Sequence, residues 1–123
     1  MMERHESPLQ IKSEAFAKRI IKLYKYLKKT KHEDVMSKQV FRSGTSIGAN
    51  IAESRNAQSP ADFISKLSIA LKESGETEYW LKCLRDSGYL SKEEFDSIYH
   101  ENVEIGKMLT SSIVTMKKRN GIL

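Results

Sequence analysis

The chain holds one cysteine, two prolines and six glycines in 123 residues, and no apolar run that approaches 18 residues. Each shortage excludes something. A lone cysteine, Cys83, cannot form an internal disulfide, which leads us to expect a reducing, cytoplasmic setting. So few prolines and glycines exclude a collagen-like or Pro/Gly-rich disordered chain. They also disfavour an all-β sandwich, which needs many turns. Without a long apolar run there is no candidate membrane span. The polar opening Met1-Met2-Glu3-Arg4-His5-Glu6 predicts no secretory signal.

Groups that do chemistry are equally scarce. The histidines are His5, His32 and His100, and the residues three positions before them are Met2, Lys29 and Ser97. The Glu-x-x-His pairs of a di-iron bundle are therefore missing, so no metal or cofactor is expected. There is no Gly-x-x-x-x-Gly-Lys phosphate loop and no Gly-x-Gly-x-x-Gly. Cys83 lies between Trp80-Leu81 and Leu84 and reads as a small buried hydrophobe rather than a nucleophile. An enzyme has little to work with, apart from clustered polar residues such as Asn50 and Glu53.

What is present is helical periodicity, in four stretches of one domain spanning 1–123. Over residues 7–29, Phe16, Ile20, Leu23 and Leu27 form one apolar face. Ser7 and Pro8 suit its first turn. Over residues 37–57, Ser37 can cap, and Val40, Gly44, Ile47 and Ile51 make a stripe. Gly44, Gly48 and Ala52 make a second row of small residues. Glycine costs about 1 kcal/mol against alanine inside a helix, so this row predicts close approach by another helix. Asn50 and Glu53 share a side of the same helix; they tie helices or subunits together, or touch a ligand.

A third helix opens at Ser59-Pro60-Ala61-Asp62, a strong start signal, and ends at Gly88. Phe63, Leu67, Ala70, Leu71, Leu81 and Leu84 carry its apolar face. A fourth opens with the capping box of Ser91 and Glu94. Phe95, Ile98, Ile105, Leu109 and Met116 follow near heptad spacing, with Asn102 among them as a register-fixing polar residue. Lys117-Lys118-Arg119 and then Asn120-Gly121 close it. Four amphipathic helices with short connections predict an all-α fold, an antiparallel up-down-up-down four-helix bundle.

The formal net charge is +5, and its distribution is uneven: residues 1–31 carry nine basic and three acidic residues, a net +6, while the remainder nearly cancels. Lys18, Lys22, Lys25 and Lys29 repeat the spacing of the first apolar stripe, shifted by two residues. Two residues are about 200° of helical rotation, so these lysines face away from the core. Lys12 and Arg19 flank them. A solvated face kept charged for solubility is the plain reading. A track for nucleic-acid phosphates is the functional one, and it would give affinity and salt dependence rather than sequence readout. Tyr24 and Tyr26 lie among the lysines, where they either pack on neighbouring helices or stack on unpaired bases.

One stretch carries a family resemblance. Phe41-Arg42-Ser43-Gly44-Thr45-Ser46-Ile47-Gly48-Ala49-Asn50-Ile51-Ala52-Glu53 is followed by Ala57-Gln58-Ser59-Pro60-Ala61-Asp62-Phe63-Ile64, and then by Glu76-Thr77-Glu78-Tyr79-Trp80-Leu81. The sequence resembles the four-helix-bundle proteins named after the 23S rRNA intervening sequence, over most of its length. The resemblance implies a small bacterial protein and a barrel-like homopentamer. Some relatives are encoded within insertions in large-subunit rRNA genes. Others are accessory proteins to reverse transcriptases of diversity-generating retroelements, binding nucleic acid and the enzyme. On this reading Gly44, Gly48, Asn50, Ala52 and Glu53 are packing residues within or between subunits. Lys12, Lys18, Arg19, Lys22, Lys25 and Lys29 are the candidate nucleic-acid contacts. The alternative is a protein-docking module without nucleic-acid binding of its own.

Overall fold

The computed structural model describes residues 7–123; the opening segment, with Arg4 and His5, lies outside the described residues. Four helices follow in order: α1 Pro8–Lys29, α2 Met36–Ser54, α3 Pro60–Asp86 and α4 Lys92–Arg119. Three of the four start signals work as the sequence predicts. Ser7, Ser59 and Ser91 each accept a backbone N–H of the first turn, and Glu94 returns the bond to Ser91 N–H to complete the capping box. Gly88 and Gly121, at φ +82 and +70, supply the left-handed turns after α3 and α4.

The start of α2 departs from expectation. Ser37 lies inside the helix, and no side chain of the preceding residue caps it. The buried carboxylate of Glu33 does so instead, accepting Val35 N–H at 3.1 Å, Met36 N–H at 3.0 Å and Ser37 N–H at 2.6 Å. The Ser37 hydroxyl donates to the Glu33 carbonyl at 2.9 Å. A carboxylate is well placed there, because free N–H groups and the helix dipole both favour negative charge. The far end of α2 also stops earlier than residue 57, at Ser54.

Each helix packs on its neighbours in sequence, and α1 closes the ring against α4; α1–α3 and α2–α4 stay apart across the core. Contacts run in opposite order along every adjoining pair. Between α1 and α2, Tyr24 meets Phe41 while Ser13 meets Gly48. Between α2 and α3, Ser43 meets Thr77 while Glu53 meets Lys66. Between α3 and α4, Ser74 meets Asn102 while Arg85 meets Phe95. Between α1 and α4, Lys12 meets Glu104 while Arg19 meets Ser97. The bundle is therefore antiparallel throughout.

Phe16, Ile20 and Leu27 from α1 join Val40, Ile47 and Ile51, then Leu67, Leu81 and Leu84, then Ile105 and Leu109, in one buried core. Two polar pairs cross it. Thr77 Oγ1 and Ser43 Oγ lie 2.9 Å apart. Asn102 Nδ2 donates to the Ser74 carbonyl at 2.9 Å, and the Ser74 hydroxyl donates to Asn102 Oδ1 at 3.0 Å. Among the described residues no buried side-chain nitrogen or oxygen lacks a partner, as a well-specified core requires. None of these helices is long and apolar enough to cross a membrane.

Candidate nucleic-acid interface

The outer face of α1 is set by the inner one. Leu9, Ser13, Phe16, Ile20 and Leu27 are buried, so residues about half a helical turn away must point to solvent. Lys18, Lys22, Lys25 and Lys29 are all exposed. None of the four has an ion-pair partner among the described residues. From Lys18 to Lys29 is 11 residue steps, about 16 Å of helix at about 1.5 Å per residue.

The other two candidate contacts have carboxylate partners. Lys12 pairs with Glu104. Arg19 reaches Glu101 at 2.7 Å and the Ser97 hydroxyl at 3.0 Å. Both side chains bind α1 to α4, and their charge is already answered. The six predicted residues thus divide into four uncompensated lysines on one stripe and two structural cations on its flank.

Repulsion along the stripe is informative. Like charges three or four positions apart destabilise a helix by about 0.2–0.5 kcal/mol per pair. Elsewhere such positions hold opposite charges, as in Lys82 with Glu78 and Lys92 with Asp96 at 2.9 and 2.8 Å, or like charges answered from a neighbouring helix, as Arg42 answers Glu73 and Glu76 and as Lys12 and Arg19 answer Glu104 and Glu101. On α1, Glu14 stands four positions before Lys18 but forms no ion pair with it among the described residues, and Lys22, Lys25 and Lys29 have no acidic residue three or four positions away on their own helix.

The two tyrosines of α1 have different surroundings. Tyr24 lies against Phe41, ring centroids 4.8 Å apart, with the Lys28 ammonium 5.5 Å from its ring. Tyr26 lines a groove of about 260 Å³ between α1 and α4, together with Arg19, Lys22, Leu23, Leu90, Glu94 and Ile98. Sequence reasoning missed this groove. Leu90, Glu94 and Ile98 are some 70 residues away from α1, and only the antiparallel closure of the ring brings them beside it.

The small-residue row on α2 works inside the chain. A Cβ at Gly44 would fall 2.7 Å from Ile20 Cγ1 and 2.9 Å from its Cδ1 and Cγ2, and one at Gly48 would meet the Ser13 carbonyl at 3.4 Å. Gly44 is what admits α1; at Gly48 a Cβ would make only ordinary van der Waals contact with Ser13. Ala52, the last of the row, is exposed. Of the polar pair on α2, Glu53 joins α2 to α3 through Lys66 at 3.0 Å. Asn50 ties no helices together; its amide donates to the carbonyl of Ser46 on its own helix at 2.9 Å.

Two further features lie away from α1. Arg42 reaches from α2 to Glu73 at 3.3 Å and also to Glu76, whose carboxylate accepts Trp80 Nε1–H at 3.2 Å. The bonds from Arg42 and then Trp80 hold the Glu76 carboxyl below its ordinary range. Cys83 is half-buried rather than buried. Its hydrogen bond to Tyr79 pushes that phenol up. A roomier groove, about 590 Å³, opens where α1 begins, over Leu9, Ile51, Phe63, Leu67 and Met108. Among the described residues its charged members are the cations Arg55 and Lys107.

The family model for the 23S rRNA-intervening sequence protein matches residues 8–111. Among solved structures, the chain is similar to a protein of unknown function from the S23 ribosomal protein family of Bacteroides thetaiotaomicron. The two share 55% identity with a TM-score of 0.85, over 85% of this chain and 97% of the other. No curated protein matches.

Proposed function

The chain belongs to the 23S rRNA-intervening sequence protein family, and from that premise we propose a non-enzymatic, cytoplasmic protein that holds nucleic-acid backbones on the outer face of α1. The observation that carries this reading is the stripe of four exposed lysines without acidic partners among the described residues. A solubility face gains nothing from unrelieved repulsion, because interspersed charges keep a surface equally wet. A phosphate track needs that arrangement, and the repulsion is relieved when phosphates replace the counterions.

Self-association into a homopentamer belongs to the same proposal and rests on the family resemblance. Five copies at +5 each carry a formal +25, and the stripes repeat around the assembly. Reversing Lys18, Lys22 and Lys25 to glutamate abolishes RNA or DNA binding at low salt and leaves the assembly mass unchanged. Wild-type protein that binds neither polymer at low salt overturns the reading. Light scattering near five times 14.1 kDa supports the assembly; a monomer overturns that part.

The outward side of α3 favours a second reading, a docking module for a protein such as a reverse transcriptase. Ile69 and Tyr79 are exposed there, and the Tyr79 ring meets half-buried Trp80 edge-on at 4.9 Å. Exposed apolar groups of this kind suit a protein partner. The module predicts a complex that survives nuclease and enough salt to screen surface charges.

A further inference from the structure

We propose that the groove between α1 and α4 takes an unpaired nucleobase, so that the ligand of the lysine stripe is a single-stranded nucleic acid. The proposal rests on the reading of the stripe as a phosphate track, and it adds what that track alone cannot provide, a contact to bases.

The groove has an apolar floor and a charged rim. Leu90 and Ile98 are buried beneath it, 6% and 4% exposed, and Leu23 and Tyr26 are half-buried walls packed on the core. At about 260 Å³ it falls just below the ~300–1,000 Å³ of sites for drug-sized ligands. That is room for one flat ring system. Tyr26 supplies an aromatic surface, and every base has a π-face to set against one.

Charge fixes which part of a nucleotide enters. Lys22 belongs both to the stripe and to the rim of the groove, so a strand following Lys18, Lys22, Lys25 and Lys29 passes its mouth. The Lys31 ammonium stands 6.0 Å from the Tyr26 ring centroid, adding a cation beside any base laid there. The opposite wall is acidic. Glu94 lines it, and Glu101 holds Arg19 at the rim. One Glu94 oxygen accepts Ser91 N–H at 2.8 Å; the other is open to an exocyclic amine. A phosphate is repelled from that wall, whereas a neutral base is accepted. A base stacked and paired in a duplex cannot enter.

Tyr24 offers no such surface, since the Phe41 ring already lies against it, 4.8 Å between centroids.

The test is fluorescence anisotropy at low salt with two labelled strands of equal length. One is a homopolymeric single strand; the other is its abasic counterpart, which keeps every phosphate and lacks every base. The wild-type protein binds the base-bearing strand about tenfold more tightly, in the range that stacking of one base gives. Tyr26→Leu keeps the apolar bulk and reduces that ratio to near one, while Tyr26→Phe preserves it. Equal affinity of the wild type for the two strands overturns the base site and leaves the phosphate track standing. A ratio retained in Tyr26→Leu overturns it as well. Should Tyr26→Leu fail to fold, the wild-type ratio decides alone. If neither strand binds, the reading of the stripe itself has failed, and this inference fails with it.

Discussion

Gly44→Ala adds one methyl group, and in most helices it would stabilise. Replacing glycine by alanine in a helix interior gains about 1 kcal/mol from backbone entropy. At position 44 the new Cβ would lie 2.7–2.9 Å from three carbons of Ile20, a residue with no solvent exposure. Two of those carbons are attached directly to the branched Cβ of Ile20, so no distal torsion moves them aside. Overpacking of this kind costs about 1–3 kcal/mol. The net expectation is a loss of roughly 1 kcal/mol, or about 3–6 °C in Tm for a chain of this size. Gly75→Ala is the internal control, because its Cβ would meet nothing within 4 Å. It gains up to about 1 kcal/mol and raises Tm. Thermal and urea denaturation followed by circular dichroism measure both. In Ile20→Ala/Gly44→Ala the new methyl enters the space Ile20 vacates, so the double variant loses less than the sum of its parts. If Gly44→Ala raises Tm as Gly75→Ala does, the close approach of α1 and α2 at Gly44 is refuted.

Asn102→Ala removes the two side-chain bonds of a buried pair and leaves the Ser74 hydroxyl only the residue-102 carbonyl at 3.4 Å; it costs about 2 kcal/mol in urea denaturation, and an unchanged midpoint contradicts the role of the pair. Glu33→Ala leaves the N–H groups of Val35, Met36 and Ser37 at the start of α2 without their carboxylate, and a loss of about 1–2 kcal/mol follows, with faster amide exchange confined to Val35 and the first turn of α2. Acid titration probes Glu76. Its pKa is lowered in the folded protein by Arg42 and then Trp80, so its contribution is present above the unfolded value of about 4.3 and disappears as pH falls through the lower folded value. Glu76→Gln therefore narrows its stability gap to wild type as the solution is acidified below that range; a gap that stays constant contradicts the interaction.

Helix starts were legible where capping is local. Ser59-Pro60 and the Ser91–Glu94 box act within one turn of chain, and both work as read. Glu33 was not legible as a cap. It precedes α2 by three residues, behind a turn in which His32 takes φ 55, and only that turn aims its carboxylate at the helix. The lysine stripe could be read from spacing, since helical rotation alone decides which side chains share a face. That Lys12 and Arg19 are spoken for could not be read, because Glu104 and Glu101 come from α4. The glycine row reads as a close-packing device, and Gly44 is one, whereas Gly48 would accept a Cβ at ordinary contact distance; the partner, α1 of the same chain, comes from the fold. Spacing alone does not show that a side chain can bond to the preceding turn of its own helix, as the Asn50 amide does within this chain.

The salt dependence of nucleic-acid affinity tests the central claim most directly. For single strands the slope of log K against log salt is about −0.7 per phosphate neutralised. Neutralising Lys18, Lys22 and Lys25 to glutamine should flatten the slope by about 2 for each protomer that engages the strand, whereas Lys12→Gln, at an ion-paired site, should leave it nearly unchanged. Equal slopes for the wild type and the triple variant would show that those ammonium groups do not meet phosphate.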